Sequence, residues 1–372
     1  MTPSSSENTQ TIRVLVVDDS AFMRLSISRG LDALPGIEVV GTARDGEDAL
    51  EQVLRLAPDV VTLDIEMPRL NGLGALRRIM AESPRPVIML SSLTTEGSSE
   101  TMQALVLGAV DFVAKPVNRA NVTAVMDELA EKIRSTVHAR LPAPYQPGLP
   151  AQQPSRAREG KPTRGLLKHD RIVLIGSSTG GPRALNTVIP SLPADLRAAV
   201  LVVQHMPAGF TRSLAERLDN QSNLRVKEAE PGDRPEVGLV LLAPGGFHMT
   251  IDETGTIGLN KNPPVHGVRP AVDVTLASLV KKYGPAVISV ILTGMGNDGT
   301  NGSALVHNAG GRVIAEDAST CVVYGMPRSV VEAGIVDEVV PLPEIARAIT
   351  QAADLTTRPL KEAGGVIEKS KN

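Results

Sequence analysis

A turn rich in glycine and serine, Gly176-Ser-Ser-Thr-Gly-Gly181, follows an apolar run and precedes a proline that could open a helix. It lacks the Gly-Lys-Ser/Thr ending of a phosphate-binding loop, and a serine replaces the second glycine of a dinucleotide fingerprint. The remaining interpretation is Gly-x-Ser-x-Gly, whose small residues allow a sharp turn that exposes the central side chain. Ser178 is therefore a candidate nucleophile, although a glycine-rich turn without chemistry remains open from this pattern alone.

A nucleophilic serine needs a base, and the base needs a group that orients it. His205 directly follows a predicted strand, 200–203, which should bring it to the same sheet edge as Ser178. Asp298 follows another apolar run, 287–292, within a glycine-rich segment. Asn-Asp-Gly is also strong turn chemistry. The catalytic interpretation of Asp298 therefore depends on its position after a predicted strand, at the same sheet edge as Ser178 and His205.

The chain order Ser, His, Asp differs from the Ser, Asp, His order of α/β-hydrolases, which indicates an independent arrangement. The backbone N–H of Thr179, at the start of the predicted helix, is a candidate oxyanion donor. His248 and His266 could approach the same cleft. A metal hydrolase built on His205, His248 and Asp298 is an alternative, but no spacing typical of a metal site supports it.

A second set of chemical groups stands at predicted strand ends in the first third of the chain: Asp18, Asp19, Asp64, Ser91 and Lys115. Three nearby carboxylates repel one another unless a cation neutralises them, and Mg²⁺ prefers such oxygen ligands. A hydroxyl and an ammonium at the same edge suit a phosphoryl group. The alternative for any single aspartate is a helix cap.

Apolar runs that alternate with helical patterns position these groups. Five such runs precede residue 139, at 12–17, 37–41, 60–65, 87–90 and 110–114. Five more follow residue 170, at 172–175, 200–203, 237–243, 287–292 and 312–315, and a hairpin is predicted at 247–252 and 257–260. Continuous apolar strands between helices predict parallel α/β sheets. If the first sheet has the strand order 2-1-3-4-5, its first and third strands flank the ligand-binding edge.

The composition of the segment between the two sets of strands predicts how the chain divides into domains. Residues 139–169 hold six prolines and six Lys or Arg against one acid, which is typical of a semi-rigid linker. We predict a first domain at 11–137, a linker at 138–169, a second domain at 170–355 and a polar tail at 356–372.

Charge and cysteine content limit the class of protein. A net charge of −3 over 372 residues gives no electrostatic reason to expect nucleic acid or an anionic membrane as partner. The single cysteine, Cys321, excludes an intrachain disulfide and fits a reducing compartment. The first ten residues do not resemble a signal peptide, and no apolar run approaches the length of a membrane span. We expect a cytoplasmic enzyme or signalling protein without membrane insertion.

The acidic pair, the aspartate followed by x-x-Met-Pro, the serine and the Lys-Pro resemble the receiver domain of response regulators over residues 11–137. The resemblance implies a flavodoxin-like fold and phosphate transfer from a histidine kinase to Asp64. It implies that Asp19, Asp64 and the backbone carbonyl of Glu66 ligate Mg²⁺, and that Asp18 acts through water. It also implies that Ser91 and Phe112 form the switch pair and that Lys115 contacts the phosphoryl group. Phe112 stands where many receivers carry tyrosine.

Six motifs in the second part of the chain are similar to the catalytic domain of the chemotaxis protein-glutamate methylesterase family: IGSSTGGP, VVQHMPAGFT, LAPGGFHM, RPAVDV, ILTGMGNDG and CVVYGMPR. The resemblance covers about residues 170–350. It implies that Ser178 is the nucleophile, His205 the base and Asp298 the orienting carboxylate. It also puts the backbone of Met295 beside that of Thr179 in the oxyanion region.

That resemblance implies hydrolysis of γ-glutamyl methyl esters on chemoreceptors, with deamidation of receptor glutamines as a further activity. The ester chemistry would need no cofactor. We expect the unphosphorylated receiver to cover the Ser178 cleft and phosphorylation of Asp64 to open it. A transcriptional regulator and a scaffold with a degenerate hydrolase fold are the rival classes. The α/β pattern of the second part argues against the first, and the intact set of Ser178, His205 and Asp298 against the second.

Overall fold

The computed structural model describes residues 11–92, 94–115, 122–137, 139 and 162–354. Most of the predicted linker and the whole predicted tail lie outside these residues. The described residues form two parallel α/β sheets with helices packed on them, and two small antiparallel pairs of strands.

The first sheet has five strands that alternate with five helices. The strands are β1 Ile12–Val17, β2 Ile37–Ala43, β3 Val60–Asp64, β4 Val87–Ser91 and β5 Asp111–Ala114. The helices are α1 Ala21–Asp32, α2 Gly46–Leu56, α3 Gly72–Glu82, α4 Thr95–Leu107 and α5 Val122–Thr136. All pairings are parallel, in the order β2-β1-β3-β4-β5. The predicted parallel sheet is confirmed, and its strand order is the one in which the first and third strands flank the ligand-binding edge.

Side-chain caps fix where several of these helices begin. Ser20, Asp45, Asn71 and Thr94 each accept a hydrogen bond from a backbone N–H in the first turn of α1, α2, α3 and α4 respectively. Such caps satisfy N–H groups that have no partner within the helix. The apolar strands β3 and β4 are buried along their whole length, as expected for a sheet covered on both faces.

The second domain is built on a larger sheet. Its strands and those of the small sheets are β6 Arg164–Gly165, β7 Arg171–Ser177, β8 Ala198–Gln204, β9 Arg225–Glu228, β10 Glu236–Val237, β11 Leu239–Leu242, β12 His248–Ile251, β13 Ile257–Asn260, β14 Val287–Ile291, β15 Arg312–Glu316 and β16 Glu338–Val340. The helices are α6 Gly181–Ser191, α7 Phe210–Gln221, α8 Val272–Tyr283, α9 Thr300–Asn308, α10 Met326–Glu332 and α11 Leu342–Asp354.

Seven of these strands form one parallel sheet in the order β16-β15-β14-β7-β8-β11-β9. The chain therefore adds strands on one side of β7 and later on the other side, so the direction of winding reverses between β14 and β7. In doubly wound sheets, such a switch point is where ligands bind beyond the carboxyl ends of the strands.

The prediction of one strand over 237–243 is wrong, because Gly238 divides the run. Gly238 has a φ of +88°, and a Cβ there would collide with the carbonyl oxygen of Pro162. β10 therefore pairs antiparallel with β6, and β11 continues into the large sheet. The predicted hairpin is confirmed as β12 and β13, with Gly255 at a φ of +84° in its turn.

The two sheets share part of their apolar packing. One cluster of buried side chains contains residues of both domains, and α4 packs against α6 and α7. The ring of Phe112 in β5 lies 4.5 Å, centroid to centroid, from the ring of Phe210 in α7. The first domain therefore rests on the second through α4 and β5. Within the described ranges, the helices are all too short or too polar to cross a bilayer.

Candidate active site and phosphoacceptor site

Three neighbouring strands of the large sheet carry the candidate catalytic residues. β7 is paired with β14 on one side and with β8 on the other, all in parallel. Ser178 follows β7, His205 follows β8, and Asp298 lies in the loop after β14. The sheet thus brings all three residues to one edge at the switch point, as the sequence predicts.

The loop after β7 turns sharply into α6. Gly180 has a φ of +79°, and a Cβ at Gly181 would collide with the side chain of Gln204. The backbone N–H of Ser178 donates to the carbonyl oxygen of Thr293 over 3.0 Å, and its own carbonyl accepts from Gly181 over 2.8 Å. Ser178 is half-buried at this turn. The turn therefore needs glycine at Gly180, which closes the Gly-x-Ser-x-Gly pattern, and at Gly181, which follows it.

The buried side chain of Gln204 joins the serine loop to the histidine loop. Its Nε2 donates to the carbonyl oxygens of Ser178, over 2.9 Å, and His205, over 3.1 Å. Its Oε1 accepts from Ser177 Oγ over 2.6 Å. Sequence reasoning missed this residue, and the only signal for it is its position directly before His205 at a strand end.

His205 and Asp298 form a hydrogen-bonded pair, with Nε2 2.8 Å from Oδ2. Burial alone would raise the pKa of Asp298. The hydrogen bond from His205 and the backbone N–H groups of Asp273 and Val272 outweigh burial, so the pKa lies below its ordinary value. Asp298 is therefore an ionised carboxylate at neutral pH, which suits it to orient the imidazole and stabilise an imidazolium.

In the part of the chain that the structure describes, no hydrogen bond joins the hydroxyl of Ser178 to the ring of His205. Because Nε2 faces Asp298, the free nitrogen of His205 is Nδ1. Catalytic hydrogen bonds are often long in unliganded sites and shorten when substrate binds. The backbone of His205 is tied to the residue before Ser178, since the N–H of His205 donates to the carbonyl oxygen of Ser177 over 3.0 Å.

The two residues that the family resemblance puts in the oxyanion region lie on adjacent loops. Thr179 donates its hydroxyl to Asp111 Oδ2 of the first domain over 2.5 Å, and its carbonyl accepts from Thr293 Oγ1 over 3.0 Å. Met295 follows Gly294, where a Cβ would lie 2.8 Å from Ser178 Cβ. The loop that carries Met295 therefore touches the serine turn.

A buried acid that sequence reasoning missed holds this second loop. Glu316 is fully buried, and its Oε2 accepts from the backbone N–H of Thr293 over 2.8 Å. Its Oε1 accepts from Thr320 Oγ1 over 3.0 Å. Burial raises the pKa of Glu316 despite these hydrogen bonds.

The alternative metal site does not assemble. His248 is buried and its Nε2 faces the carbonyl oxygen of Pro263 at 3.1 Å. The groups of described residues that could hold a metal ion do not join it to His205 and Asp298. His266 instead lies 2.9 Å from Asp273, which sequence reasoning did not single out. Among the described residues, His205, His248 and Asp298 therefore do not come together as a metal site.

The carboxylates of the first domain also converge. The ligand atoms of Asp18, Asp19 and Asp64 all lie within 4.8 Å of one another. Lys115 Nζ lies 2.9 Å from Asp18 Oδ2 and 2.7 Å from Asp64 Oδ1. Burial raises the pKa of Asp64 to about 6, although Lys115 opposes the shift; Asp18 and Asp19 add to it. The set of oxygen ligands fits Mg²⁺.

The two residues of the expected switch pair are buried and contact other elements. The hydroxyl of Ser91 is buried and accepts from Thr101 Oγ1 of α4 over 2.6 Å. Phe112 is buried against Phe210 of the second domain. Glu66 is exposed, and its Oε1 accepts from Ser92 Oγ over 3.3 Å.

The fold and the two sites define a response regulator with a hydrolase-type second domain. Residues 14–127 match the response regulator receiver domain, and residues 173–349 match the CheB methylesterase domain. The chain therefore belongs to the family of two-domain protein-glutamate methylesterases.

Similar proteins align over nearly their whole length. The protein-glutamate methylesterase/protein-glutamine glutaminase of Symbiobacterium thermophilum is 56% identical over 351 residues, which cover 92% of this chain and 97% of that protein. The protein of the same description from Thermotoga maritima is 48% identical over 349 residues, which cover 92% and 98%. The crystal structure of the Thermotoga maritima CheB methylesterase catalytic domain is 51% identical, covers 49% of this chain and 98% of that chain, and has a TM-score of 0.48.

Proposed function

We propose that this protein hydrolyses γ-glutamyl methyl esters on chemoreceptors, that it deamidates receptor glutamines, and that phosphorylation of its receiver regulates both reactions. The observation that carries the proposal is the His205–Asp298 hydrogen bond of 2.8 Å at the edge where the Ser178 turn emerges. Membership of the methylesterase family supports the choice of substrate.

In the proposed reaction, Ser178 Oγ attacks the ester carbonyl while His205 Nδ1 takes the hydroxyl proton. Asp298 holds the other ring nitrogen and stabilises the imidazolium. The proton then passes to the leaving oxygen, so methanol departs and an acyl-enzyme remains. Water attacks the acyl-enzyme with His205 as base, which gives glutamate and restores the serine. For a glutamine substrate the leaving group is ammonia. No step uses a cofactor.

The negative charge on the attacked carbonyl oxygen needs donors. We assign this role to the backbone N–H groups of Thr179 and Met295. Two contacts support the assignment: Thr293 donates to the Thr179 carbonyl, and the Gly294–Met295 loop touches the serine turn. Because Thr293 and Glu316 fix the loop, its donors would be aligned before substrate arrives.

The receiver accepts its phosphoryl group on Asp64 in this proposal. Asp19, Asp64 and the backbone carbonyl of Glu66 would hold Mg²⁺, with Asp18 acting through water. The bound cation supplies charge neutralisation for phosphoryl transfer. Lys115, already 2.7 Å from Asp64, would contact the transferred group, and Ser91 would turn from α4 towards it.

The unphosphorylated receiver would inhibit the esterase by direct contact. Asp111 of β5 binds the hydroxyl of Thr179, the residue after the proposed nucleophile. The switch residue Phe112 packs against Phe210 of the second domain. A rearrangement of Ser91, Phe112 and α4 on phosphorylation would therefore disturb the interface at the active site.

Chemoreceptors and a chemotaxis-type histidine kinase are the proposed partners, and the cytoplasm is the proposed compartment. We also propose the division into a receiver at 11–137, a linker at 138–169 and a catalytic domain at 170–355. A DNA-binding regulator is disfavoured, because the second domain is a parallel α/β sheet of the methylesterase type.

Methanol release from methylated receptor membranes tests the function. We expect the full chain to release methanol, and to do so faster with Mg²⁺ and a small-molecule phosphodonor. Ser178→Ala should release none and still be phosphorylated on Asp64. If Ser178→Ala retains the wild-type rate, the nucleophile is misassigned. If the wild type releases neither methanol nor ammonia, the proposed activity is wrong.

A further inference from the structure

A second imidazole–carboxylate pair lies beside the first. His266 Nε2 is 2.9 Å from Asp273 Oδ2, and the ligand atoms of His266, Asp273 and Asp298 all lie within 4.8 Å of one another. Asp273 and Asp298 are both buried. The proposed reaction uses only Asp298, so a buried acid next to it needs a separate role.

The two aspartates cap each other's helices. Asp298 accepts from the backbone N–H groups of Val272, over 2.6 Å, and Asp273, over 3.0 Å, at the start of α8. Asp273 Oδ1 accepts from those of Gly299, over 3.0 Å, and Gly302, over 2.7 Å, at the start of α9. Asp298 thus satisfies N–H groups at the start of α8, the helix that contains Asp273. Asp273 in turn satisfies N–H groups at the start of α9, the helix that follows Asp298 in the chain.

Close packing holds the two helices in this arrangement. A Cβ at Gly302 would lie 2.6 Å from Leu276 Cβ, so α9 approaches α8 at a point where only glycine fits. We do not assign a cation site to His266, Asp273 and Asp298. Both carboxylates already accept hydrogen bonds from backbone N–H groups, and each faces an imidazole.

The segment between β13 and α8 depends on the same anchor. His266 has a φ of +53°, which is uncommon for a residue other than glycine, and its ring faces Asp273. Arg269 Nη1 closes the segment further, with donations to the carbonyl oxygens of Lys261 and Asn262 over 2.9 Å each. The Arg269 contacts therefore close the segment on itself, and the His266 contact connects it to the start of α8, where Asp298 is bound.

We propose that Asp273 is a positioning residue for the hydrolysis, which fixes the Asp298 loop against α8 and so holds Asp298 in line with His205. This inference rests on the proposed function. Without Asp273 Oδ1, the Gly299 and Gly302 N–H groups lose their acceptor and the loop that carries Asp298 is free to shift. A misplacement of about 1 Å in a catalytic arrangement can lower the rate about 100-fold.

Kinetics of Asp273 variants in the full, phosphorylated chain test the proposal. Asp273→Ala should lower kcat for methanol release at least tenfold and leave KM for receptor membranes within twofold. Asp273→Asn keeps an oxygen that can accept from Gly299 and Gly302, so it should restore most of kcat. Asp273→Glu keeps the charge but moves the carboxylate by one methylene, and should lose activity as Asp273→Ala does. Asp252→Ala, which removes an acceptor of two backbone N–H groups in the β12–β13 turn, is the control and should keep the wild-type kcat.

The pH profile separates positioning from stability. If Asp298 is displaced, His205 loses a well-placed anion, so the acid limb of kcat/KM should move to lower pH in Asp273→Ala. The titratable groups at this site are His205, Asp298, Asp273 and His266. A kcat within twofold of wild type for both Asp273→Glu and Asp273→Ala, with an unmoved acid limb, would overturn the proposal. If Asp273→Ala does not fold, the contrast between Asp273→Asn and Asp273→Glu decides it. Failure of the wild type itself to release methanol would instead refute the proposed function.

Discussion

The carboxylate of Asp111 accepts a hydrogen bond from the hydroxyl of Thr179 over 2.5 Å, and so joins the receiver to the residue beside the proposed nucleophile. The other oxygen of Asp111 lies 3.3 Å from Lys132 Nζ and accepts from the N–H of Phe112 over 2.8 Å. One buried acid therefore links the strand β5, the helix α5 and the turn that carries Ser178. This linkage gives the receiver a direct path to the esterase.

Loss of the Asp111 contact should activate the unphosphorylated enzyme. A hydrogen bond to a charged group contributes about 1.5–3 kcal/mol, and each 1.4 kcal/mol is about a factor of ten in an equilibrium. Asp111→Ala should therefore raise the methanol-release rate of the unphosphorylated chain about tenfold, with little change in the phosphorylated rate. Steady-state assays with and without phosphodonor measure both.

Glu128→Ala is the matched control for Asp111→Ala. Glu128 lies 3.1 Å from Lys132 and belongs to α5, so its loss also leaves that ammonium short of a partner. The control should keep the low unphosphorylated rate. Equal stimulation by both variants would mean that the Lys132 charge, rather than the Thr179 contact, maintains inhibition.

Release of Ser91 from α4 should make activation easier. Thr101 Oγ1 lies 2.6 Å from both Ser91 Oγ and the Gly97 carbonyl oxygen, so the serine hydroxyl is bonded to α4. Thr101→Val keeps the shape and removes the donor. We expect half-maximal activation at a lower phosphodonor concentration, measured as methanol release against donor concentration.

Ser98→Ala is the comparison for the Thr101 variant. Ser98 is a buried hydroxyl on the same helix that donates to the Thr94 carbonyl oxygen over 2.9 Å. Its loss should leave the activation curve unchanged. If both variants shift the curve equally, helix stability rather than the Ser91 contact sets the response.

The edge positions of Ser178, His205 and Asp298 follow from the sequence because an apolar run that ends in polar residues indicates where a strand ends. The Asp111–Thr179 contact could not be predicted, since it depends on how two separately folded sheets pack together. β9 escaped prediction for a different reason. Its sequence, Arg225–Glu228, is short, charged and partly exposed at a sheet edge, so it carries no apolar run. The cap of Asp273 on α9 likewise depends on helix packing rather than on local sequence.

Loss of the Gln204 side chain should lower the catalytic rate more than loss of the Ser177 hydroxyl, which is hydrogen-bonded to it. Gln204→Ala removes the bridge between the Ser178 and His205 carbonyls, so we expect kcat to fall about 10- to 100-fold with a smaller effect on KM. Ser177→Ala removes only the donor to Oε1 and should change kcat less than threefold. Methanol-release kinetics compare the two, and thermal melts exclude unfolding. A larger loss in Ser177→Ala than in Gln204→Ala would contradict this assignment of roles.

Binding of Mg²⁺ to the receiver should weaken as the pH falls through about 6, because the cation needs ionised Asp64 and the pKa of Asp64 is raised to about 6. A raised carboxyl pKa means that the folded protein holds this proton more tightly than the unfolded chain does. Without metal, the stabilising contribution of Asp64 is therefore fully present below its ordinary pKa of 3.8 and is lost as the pH rises through about 6. Asp64→Asn should accordingly melt at a higher temperature than wild type in metal-free buffer at pH 7.5. It should also bind Mg²⁺ more weakly than wild type, and its Mg²⁺ affinity should not fall as the pH drops through about 6. Calorimetric titration with Mg²⁺ at pH 5, 6 and 7.5 measures the affinity, and equal wild-type affinity at pH 5 and 7.5 would refute the role of Asp64 as the titrating ligand.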